Sequence, residues 1–301
     1  MMSKFILCSD LHIRSNRPQF RKDDYLKTAL NKFQQIIDLA NENKADILCA
    51  GDFFDNVRVG HKVVNNVIDI IKKLEKKLYI ILGQHDMSFH SDNIESSPIK
   101  TILFQDNVEL LNRRKYIHKY GIKIYGCSWG EKPLIAEDEN SILVIHKSIT
   151  PKEIPFFLPD AVSAKDAMRK WKYKYIVSGD FHQPFCIKKK EQILVNTGPM
   201  LRQKIDEVDL IPVVWLLDVD SEKLIKIPLN IELSDNVFAL DKVKKKEESL
   251  FSDELNDLVL SLKNNSEKPD YKQIVNMVVK KTNPGKEVED KINEIMGGII
   301  G

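Results

Sequence analysis

The chain lacks an apolar run of about 18 residues, the length that a membrane span requires, and it also lacks a marked excess of charge. Its 46 Lys and Arg residues nearly balance its 44 Asp and Glu residues, which leaves a formal net charge of +2. The sequence therefore predicts no membrane span, and no global basic field that attracts nucleic acid. Any affinity for DNA must come from a local basic patch.

Cysteine is also scarce. The four cysteines, Cys8, Cys49, Cys127 and Cys186, show no paired spacing. Cys8 and Cys49 lie in apolar, strand-like runs, where a free cysteine behaves as a small buried hydrophobe. We therefore expect reduced thiols and a cytoplasmic protein rather than a disulfide framework. The segment 1–13 agrees with this, because its apolar run is too short for a signal peptide.

Apolar residues make up 43% of the chain, enough for one large core and a smaller appendage. In the first hundred residues, short apolar runs alternate with stripes at three- and four-residue steps, which predicts alternating strands and helices. The predicted strands are Phe5–Cys8, Ile47–Ala50 and Leu78–Leu82, and the helical stripes are Leu26–Ala40 and Val63–Leu74. This order implies right-handed crossovers and a partly parallel sheet.

The following residues are richer in strands, including one hairpin with a basic turn at 188–190. These strand candidates are Val108–Leu111, Ile122–Tyr125, Ser141–Ile145, Tyr175–Val177, Phe185–Ile187, Ile193–Val195 and Val213–Val219. We expect an α/β fold in which helices flank two packed sheets. After about Asp235, a charge run and three helical stripes predict a small helical C-terminal region. The predicted domains are therefore 1–235 and 236–301.

Five polar clusters follow predicted strands. They are Asp10-Leu11-His12, Gly51-Asp52, Gly83-Gln84-His85-Asp86, His146 and Gly179-Asp180-Phe181-His182. Because strand ends converge on one edge of a layered sheet, these distant side chains are predicted to meet in one cleft. Carboxylate and imidazole ligands without thiolates suit divalent ions such as Mn²⁺. The combination indicates metal-assisted hydrolysis.

In order and rough spacing, these clusters resemble the motifs of the calcineurin-like metallophosphoesterases, which run D-x-H, G-D, G-N-H-D, a lone His and G-H-x-H. The chain is most similar to the SbcD-type DNA-repair nucleases, including phage-encoded relatives, from about Lys4 to Val219. The segment Asn196–Gln203 also resembles the Asn-x-Gly region of that branch. The resemblance implies a four-layer αββα sandwich with, in this chain, a small C-terminal helical tail.

The resemblance also implies two divalent metal ions, with Mn²⁺ the first expectation and Mg²⁺ the second. It assigns Asp10, His12 and His182 to the first metal and Asp52 to a bridge between both. The second metal would take Gln84, His146 and Asp180. Gln84 replaces the family's Asn, and Asp180 replaces the first His of the last motif. Each replacement keeps a side-chain oxygen, and Asp180 favours Mn²⁺ or Mg²⁺ over Zn²⁺.

His85 resembles the catalytic histidine of the family, which acts on the phosphoryl oxygens and the leaving group rather than on a metal. Asp86 is expected to hydrogen-bond His85 and to fix its tautomer. Arg14 and Arg17 follow the first motif in a basic loop, where they would either grip a phosphate backbone or remain solvated. These two arginines are the predicted substrate contacts.

Three functions remain open on the sequence. The first is a DNA exo/endonuclease of repair or recombination, whose C-terminal helices would bind an SbcC-type SMC-like ATPase. Alternatively, the C-terminal helices fold back on their own domain. The sequence also leaves a homodimer open. The second is a phosphatase or phosphodiesterase for nucleotides or phosphoproteins. The third is a catalytically weak module that binds DNA or an ATPase, because Gln84 and Asp180 weaken the expected second metal site.

Overall fold

The computed structural model describes residues 3–88, 93–136, 140–155 and 158–240. The first compact unit of the chain ends at Ala239. From residue 241 onward, the predicted helical C-terminal region lies outside the described residues, so the helical tail stays a prediction, as does the domain boundary. Among the described helices, none combines the length and the apolar character that a membrane crossing needs.

The first sheet has six strands in the order β14-β13-β1-β2-β3-β4. The strands are β1 Lys4–Cys8, β2 Asp46–Cys49, β3 Leu78–Ile80, β4 Val108–Leu110, β13 Val213–Asp218 and β14 Lys223–Pro228. Strands β1 to β4 run parallel, and β13 and β14 are added antiparallel. The predicted partly parallel sheet is thus confirmed.

The second sheet also has six strands, in the order β11-β12-β10-β7-β6-β5. They are β5 Ile117–Lys119, β6 Ile122–Cys127, β7 Ser141–His146, β10 Tyr175–Gly179, β11 Phe185–Lys189 and β12 Gln192–Asn196. The four central strands are parallel, whereas β5 and β11 are antiparallel edges. The pairing of β11 with β12 is the predicted hairpin. Two short strands, β8 Ile149–Thr150 and β9 Val162–Ser163, pair separately.

Helices cover the outer face of each sheet. They are α1 Tyr25–Asn43, α2 His61–Ile71, α3 Pro98–Ile102 and α4 Ala164–Trp171; a further short helix, α5 Ser234–Val237, follows the last strand. Helix α1 begins where the Asp24 carboxylate accepts the Lys27 N–H at 3.0 Å, and it ends at Lys44 in the left-handed conformation. One apolar cluster joins α1, α2 and α3 to the first sheet, and another joins α4 to the second.

A third apolar cluster lies between the two sheets. Phe5, Leu48 and Tyr79 contribute from the first sheet, and Val144 and Val177 contribute from the second. Alternate residues of a strand point to opposite faces, so each central strand serves both this layer and its outer helix layer. The result is the expected four-layer αββα sandwich of an α/β fold.

Several elements of this sandwich were absent from the sequence prediction, among them the strands β5 and β14 and the helices α3 and α4. Strand β14 is largely exposed, so its residues carry no continuous apolar run. Helix α4 has only eight residues, and its buried side is built partly from the small residues Ala164 and Ala167. Both β14 and α4 depend on neighbours that are distant in sequence.

The layer between the sheets makes a testable contribution to stability. Leu48 is fully buried in this layer. We expect Leu48→Ala to lower the free energy of unfolding by about 2–5 kcal/mol, because it removes buried methyl groups and leaves a cavity. Leu233 is 75% exposed, so Leu233→Ala is the matched control and should change stability by less than about 0.5 kcal/mol. Urea unfolding followed by circular dichroism measures both, and equal losses would contradict this packing.

Candidate metal centre

The five motifs meet at the edge where the C-terminal ends of the parallel strands of both sheets come together. Asp10 and Asp52 follow β1 and β2, whereas His146 and Asp180 stand at the ends of β7 and β10. The sheets approach closely here, because a Cβ at Gly179 would lie only 2.5 Å from the Ala50 carbonyl oxygen. Glycine at the end of β10 is thus a steric requirement of the site.

The backbone at this edge is unusual. Four site residues that are not glycine have positive φ angles: Asp10 at 51°, His12 at 44°, Asp52 at 51° and Asp180 at 86°. Such conformations are uncommon for residues with a Cβ, and they cluster at functional sites where the surrounding structure holds them in place. Here the Asp10 N–H donates to the Gly51 carbonyl and the His12 N–H donates to the Asp52 carbonyl, both at 3.0 Å.

The Asp52 carboxylate lies at the centre of the cluster. Its Oδ2 atom is 3.3 Å from Nε2 of His146, 3.8 Å from Nε2 of His12 and 4.0 Å from Nε2 of His85. Its Oδ1 atom accepts the backbone N–H of His85 at 2.9 Å. The residue is 1% exposed, so these imidazoles and not bulk water surround it. This is the position that a bridging ligand requires.

Two groups of potential metal ligands share the Asp10 carboxylate. One comprises Asp10, His12 and His182, and the other comprises Asp10, Asp52 and His146; within each group, one ligand atom per residue lies within 4.8 Å of the others. The Nδ1 atom of His146 lies 2.6 Å from the Ala50 carbonyl oxygen, so that hydrogen bond places the proton on Nδ1 and leaves Nε2 as a ligand atom.

His182 is oriented by a carboxylate that the motifs do not include. Its Nδ1 atom is 2.7 Å from Oε1 of Glu207, which leaves Nε2 for a ligand role. The other oxygen of Glu207 accepts the backbone N–H groups of Gln203 at 2.6 Å and Lys204 at 3.1 Å. Burial lowers the pKa of His182, but Glu207 and Asp10 outweigh it, and the net pKa is raised.

The two residues that depart from the family pattern contact each other. Gln84 Nε2 donates to Oδ1 of Asp180 at 2.9 Å, and Ser148 Oγ donates to Oδ2 of Asp180 at 2.6 Å. Oδ1 of Asp180 also lies 4.0 Å from Nε2 of His146. The amide orientation leaves Gln84 Oε1 as the available oxygen of that side chain. The Gln84, His146 and Asp180 side chains are therefore adjacent, as the second metal position requires.

The predicted hydrogen bond between Asp86 and His85 is not formed, and this expectation is wrong. The Asp86 carboxylate instead accepts the N–H groups of Phe53, Phe54 and Gly83 at 3.0–3.2 Å. Burial and the nearby Asp52 charge raise its pKa to about 7, against the effect of these N–H groups. Asp86 thus holds two motif loops together.

The partner of His85 is Asp55, three residues after Asp52. Its carbonyl oxygen lies 2.6 Å from Nδ1 of His85. Its carboxylate lies 3.6 Å from Nδ1 of His12 and pairs with Arg14 at 2.7 Å. The only sequence signal that could have identified Asp55 was its position three residues after the Gly51-Asp52 motif. For Glu207 there was no local signal.

Burial and charge pull the ionisation of this cluster in opposite directions. Burial raises the pKa of Asp10, and it lowers the pKa of His12 well below the ordinary value. Burial would also raise the pKa of Asp52, but His146 and the neighbouring imidazoles hold it well below its usual range. The pKa of His146 rises to about 10, because Asp52 and Asp10 outweigh the effect of burial. The charged form is therefore favoured at Asp52 and His146 and disfavoured at Asp10 and His12.

The donor atoms fit a divalent metal. Four buried nitrogen and oxygen atoms in this cluster have no hydrogen-bond partner among the described residues: Nδ1 and Nε2 of His12, Nε2 of His146 and Oε1 of Gln84. Buried polar atoms are normally satisfied, so an unsatisfied group of this kind requires a reason. Together with two buried carboxylates, these nitrogen and oxygen donors match the ligand preferences of divalent ions such as Mn²⁺, Fe²⁺ and Zn²⁺.

The centre opens into a cleft of about 1100 Å³. Arg14 and Arg17 line it, as do Lys204, Phe20 and Phe181. The guanidinium of Arg14 donates to the Asp55 carboxylate at 2.7 Å and to Oε1 of Gln203 at 3.4 Å. Arg17 is exposed, and its guanidinium donates to the Lys22 carbonyl at 2.9 Å. Both predicted substrate residues thus lie on the cleft wall.

The Asn196–Gln203 segment contributes positioning groups. Asn196 donates to the carbonyls of Phe181 and Gln183, which fixes the loop that carries His182. Ser9 donates to the Asp10 carboxylate and also contacts the Thr197 hydroxyl. Side chains from this segment and from Ser9 thus hold ligand-bearing loops of both sheets.

The sequence profile of the calcineurin-like phosphoesterase family matches residues 3–184. The chain belongs to this family and is therefore a metal-dependent hydrolase. Its clustered carboxylates and imidazoles are candidate ligands for divalent ions. The resemblance seen in the motifs is thereby confirmed at the level of the family.

Among curated proteins, the chain is similar to a protein of Nanoarchaeum equitans (strain Kin4-M) named DNA double-strand break repair protein Mre11. The two are 25% identical, over 94% of this chain and 89% of that protein. Among solved structures, a Staphylococcus aureus protein described as a 5'-nucleotidase aligns with a TM-score of 0.51 and 13% identity, over 82% of this chain and 58% of its own. An archaeal phosphodiesterase aligns with a TM-score of 0.43 and 14% identity, over 75% and 99% respectively. At such identities, structural likeness shows the fold alone.

Glu207→Gln tests the orientation of His182. The amide has one acceptor oxygen, which the two backbone N–H groups would retain, so its NH₂ group would face Nδ1 of His182. The imidazole proton would then move to Nε2, the ligand atom, and we expect metal affinity to fall by about 10–100-fold. Calorimetric titration with Mn²⁺ measures this change. Glu191→Gln, at an exposed turn, is the control, and equal affinity in both variants would contradict the assigned role.

Proposed function

We propose that this protein is a two-metal phosphodiesterase that cleaves DNA, an exo/endonuclease of repair or recombination. The observation that carries the proposal is the position of the Asp52 carboxylate within 4.0 Å of three imidazoles, at the base of a cleft with arginines on its wall. The similarity to the Nanoarchaeum equitans repair protein supports DNA as the substrate, because it covers 94% of this chain, well beyond the family match at 3–184.

In this proposal, Asp10, His12 and His182 would hold the first ion, and Asp52 would serve as a ligand to both ions. Gln84, His146 and Asp180 would hold the second. Mn²⁺ is the proposed native metal and Mg²⁺ the alternative, because carboxylate and amide oxygens outnumber imidazoles at the second position. When bound, the ions supply positive charge to the phosphate and make a water molecule acidic enough to attack near neutral pH.

His85 is the proposed catalytic acid. Its Nδ1 proton is committed to the Asp55 carbonyl oxygen, so Nε2 is the atom at which a second proton is held and released. The side chain is 41% exposed and lines the cleft, which gives Nε2 access to a substrate. From there, Nε2 would donate its proton to the leaving alkoxide of the cleaved strand.

Arg14 is the proposed phosphate contact of the cleft wall. The Asp55 carboxylate holds it at 2.7 Å, so its guanidinium is oriented before substrate binds. Arg17 is exposed and would contact a phosphate farther from the metal ions. Neither residue reads base identity in this arrangement, which suits cleavage without strong sequence preference.

Substrate comparison tests the proposal directly. We expect linear DNA to be cleaved in the presence of Mn²⁺ with a higher kcat/KM than a chromogenic phosphodiester, and phosphomonoesters to be the poorest substrates. The assay uses the same enzyme and metal concentrations for all three, with a chelator as the blank. A preference for phosphomonoesters or mononucleotides would instead support the phosphatase alternative.

Two variants separate metal binding from proton transfer. His85→Ala should retain its metal content yet lower kcat by about 10²–10⁴-fold, because it removes only the proposed acid. Asp52→Ala should lose metal and activity together, because both ions depend on that carboxylate. Elemental analysis and turnover are measured on the same samples. One bound ion or none, with turnover unaffected by His85→Ala, would favour the weak binding module.

The predicted ATPase partner stays a prediction. Its proposed docking region, 236–301, lies almost entirely outside the described residues, and homodimer formation is equally untested. Of that region, the structure describes only 236–240, the end of α5 and the residues after it, where the side chains of Val237 and Phe238 are buried.

A further inference from the structure

A second cavity, of about 280 Å³, is lined by cations that lie outside the five motifs of the metal centre. Arg21, Lys32 and Arg202 face it, and their exposed fractions are only 3%, 7% and 4%. Lysine and arginine are rarely buried to this extent unless they are paired. We call this space the cationic cavity.

The charge of the cationic cavity is incompletely balanced. Arg21 is paired with Asp23 through two contacts of 2.7 and 2.8 Å. Lys32 forms no ion pair with a described carboxylate, and its ammonium donates to the Asn230 carbonyl. Arg202 likewise lacks a carboxylate partner within the described ranges. Its guanidinium donates to the carbonyls of Val208 and Glu232 and to the Ser234 hydroxyl, at 2.6–2.8 Å.

Neutral acceptors satisfy hydrogen bonds but leave net charge in a desolvated place, which is unfavourable without an anion. The effect is visible on Lys32, whose pKa falls to about 8 because of burial and of the nearby Arg202 and Arg21 charges. Glu232 also borders the cavity and partly opposes the fall in the pKa of Lys32, but it is exposed and forms no ion pair with Lys32 or Arg202. The cluster therefore retains an excess of buried positive charge.

We propose that the cationic cavity is a binding site for a phosphate group. Its ammonium and guanidinium groups are the donors that a tetrahedral oxyanion uses. Side chains of Thr28, Asn31 and Gln35 border the same space and offer further polar contacts. A volume of about 280 Å³ greatly exceeds the roughly 30 Å³ of one water molecule, so an oxyanion with attached atoms has room.

The cavity adjoins the loop that forms the wall of the catalytic cleft. The guanidinium of Arg21 stacks on the Tyr25 ring at 5.1 Å, and Arg14 of the cleft stacks on the same ring at 5.3 Å. A phosphate at the cavity would therefore contact the loop that also carries Arg14 and Arg17. The phosphate group has two sources, a free phosphate or nucleotide and the backbone of a bound DNA strand.

Tungstate, a heavy oxyanion, tests the site without reference to catalysis. Crystals of the full chain are soaked with it, and anomalous scattering is recorded. We expect a peak within hydrogen-bond distance of Lys32 Nζ, and we expect the peak to be lost in Lys32→Met and retained in Lys32→Arg. An empty cationic cavity in the wild type would overturn the proposal by itself, even if Lys32→Met failed to fold. A peak that persists in Lys32→Met would also overturn it.

Binding in solution identifies the source of the phosphate. With metal chelated, inorganic phosphate is titrated by calorimetry and a fluorescent single-stranded oligonucleotide by anisotropy, using wild type, Lys32→Met and the exposed-site control Lys62→Met. If the source is DNA, we expect Lys32→Met to weaken oligonucleotide binding by about tenfold. The slope of log affinity against log salt concentration should then become less steep by about one. A free-phosphate source predicts loss of phosphate binding alone. Unchanged binding in both titrations would refute the site, whatever substrate the metal centre cleaves.

Discussion

The constraint on which the site depends is the burial of Asp52 among three imidazoles. Asp52 is only 1% exposed, so its carboxylate depends on polar neighbours in place of water, and the nearest imidazole atom is Nε2 of His146 at 3.3 Å. Each further element serves this arrangement: the Ala50 carbonyl orients His146, and the Asp55 carbonyl orients His85. Two buried carboxylates beside imidazole nitrogens that lack hydrogen-bond partners within the described part of the chain form a favourable place for divalent cations.

The geometry of the sandwich stabilises this buried cluster at one edge of the sheets. Parallel strands in both sheets end there, so loops from distant parts of the sequence meet where backbone N–H groups are free to bind carboxylates. Asp86 takes three of these groups, and Asp10 accepts the N–H of Asp180 through both oxygens at 3.1 Å. The positive φ angles at Asp10, His12, Asp52 and Asp180 are held by this network rather than by local preference.

The balanced net charge of +2 conceals a strong local separation of charge. Acidic groups and imidazoles concentrate in the metal centre, whereas Arg21, Lys32 and Arg202 concentrate in the cationic cavity. The Tyr25 ring lies between the two, with Arg14 and Arg21 both stacked on it. The segment that leads out of the catalytic unit is tied to the same loop, because the Lys22 N–H donates to the Val237 carbonyl at 2.8 Å. The cleft wall, the cationic cavity and the segment around Val237 are thus connected through the loop 14–22 and Tyr25.

The sequence by itself determined the fold class and the positions of most strands along the chain, because buried strands and amphipathic helices leave local periodic patterns such as Phe5–Cys8 and Val63–Leu74. It also determined which motif residues converge, because strand ends share an edge. Only the tertiary structure decided the partners. Asp86 binds backbone N–H groups instead of His85, Glu207 orients His182 from a separate loop, and Gln84 pairs with Asp180. The physical reason is that hydrogen bonds and buried charge depend on distances of a few ångströms between residues far apart in the chain, which no local pattern encodes.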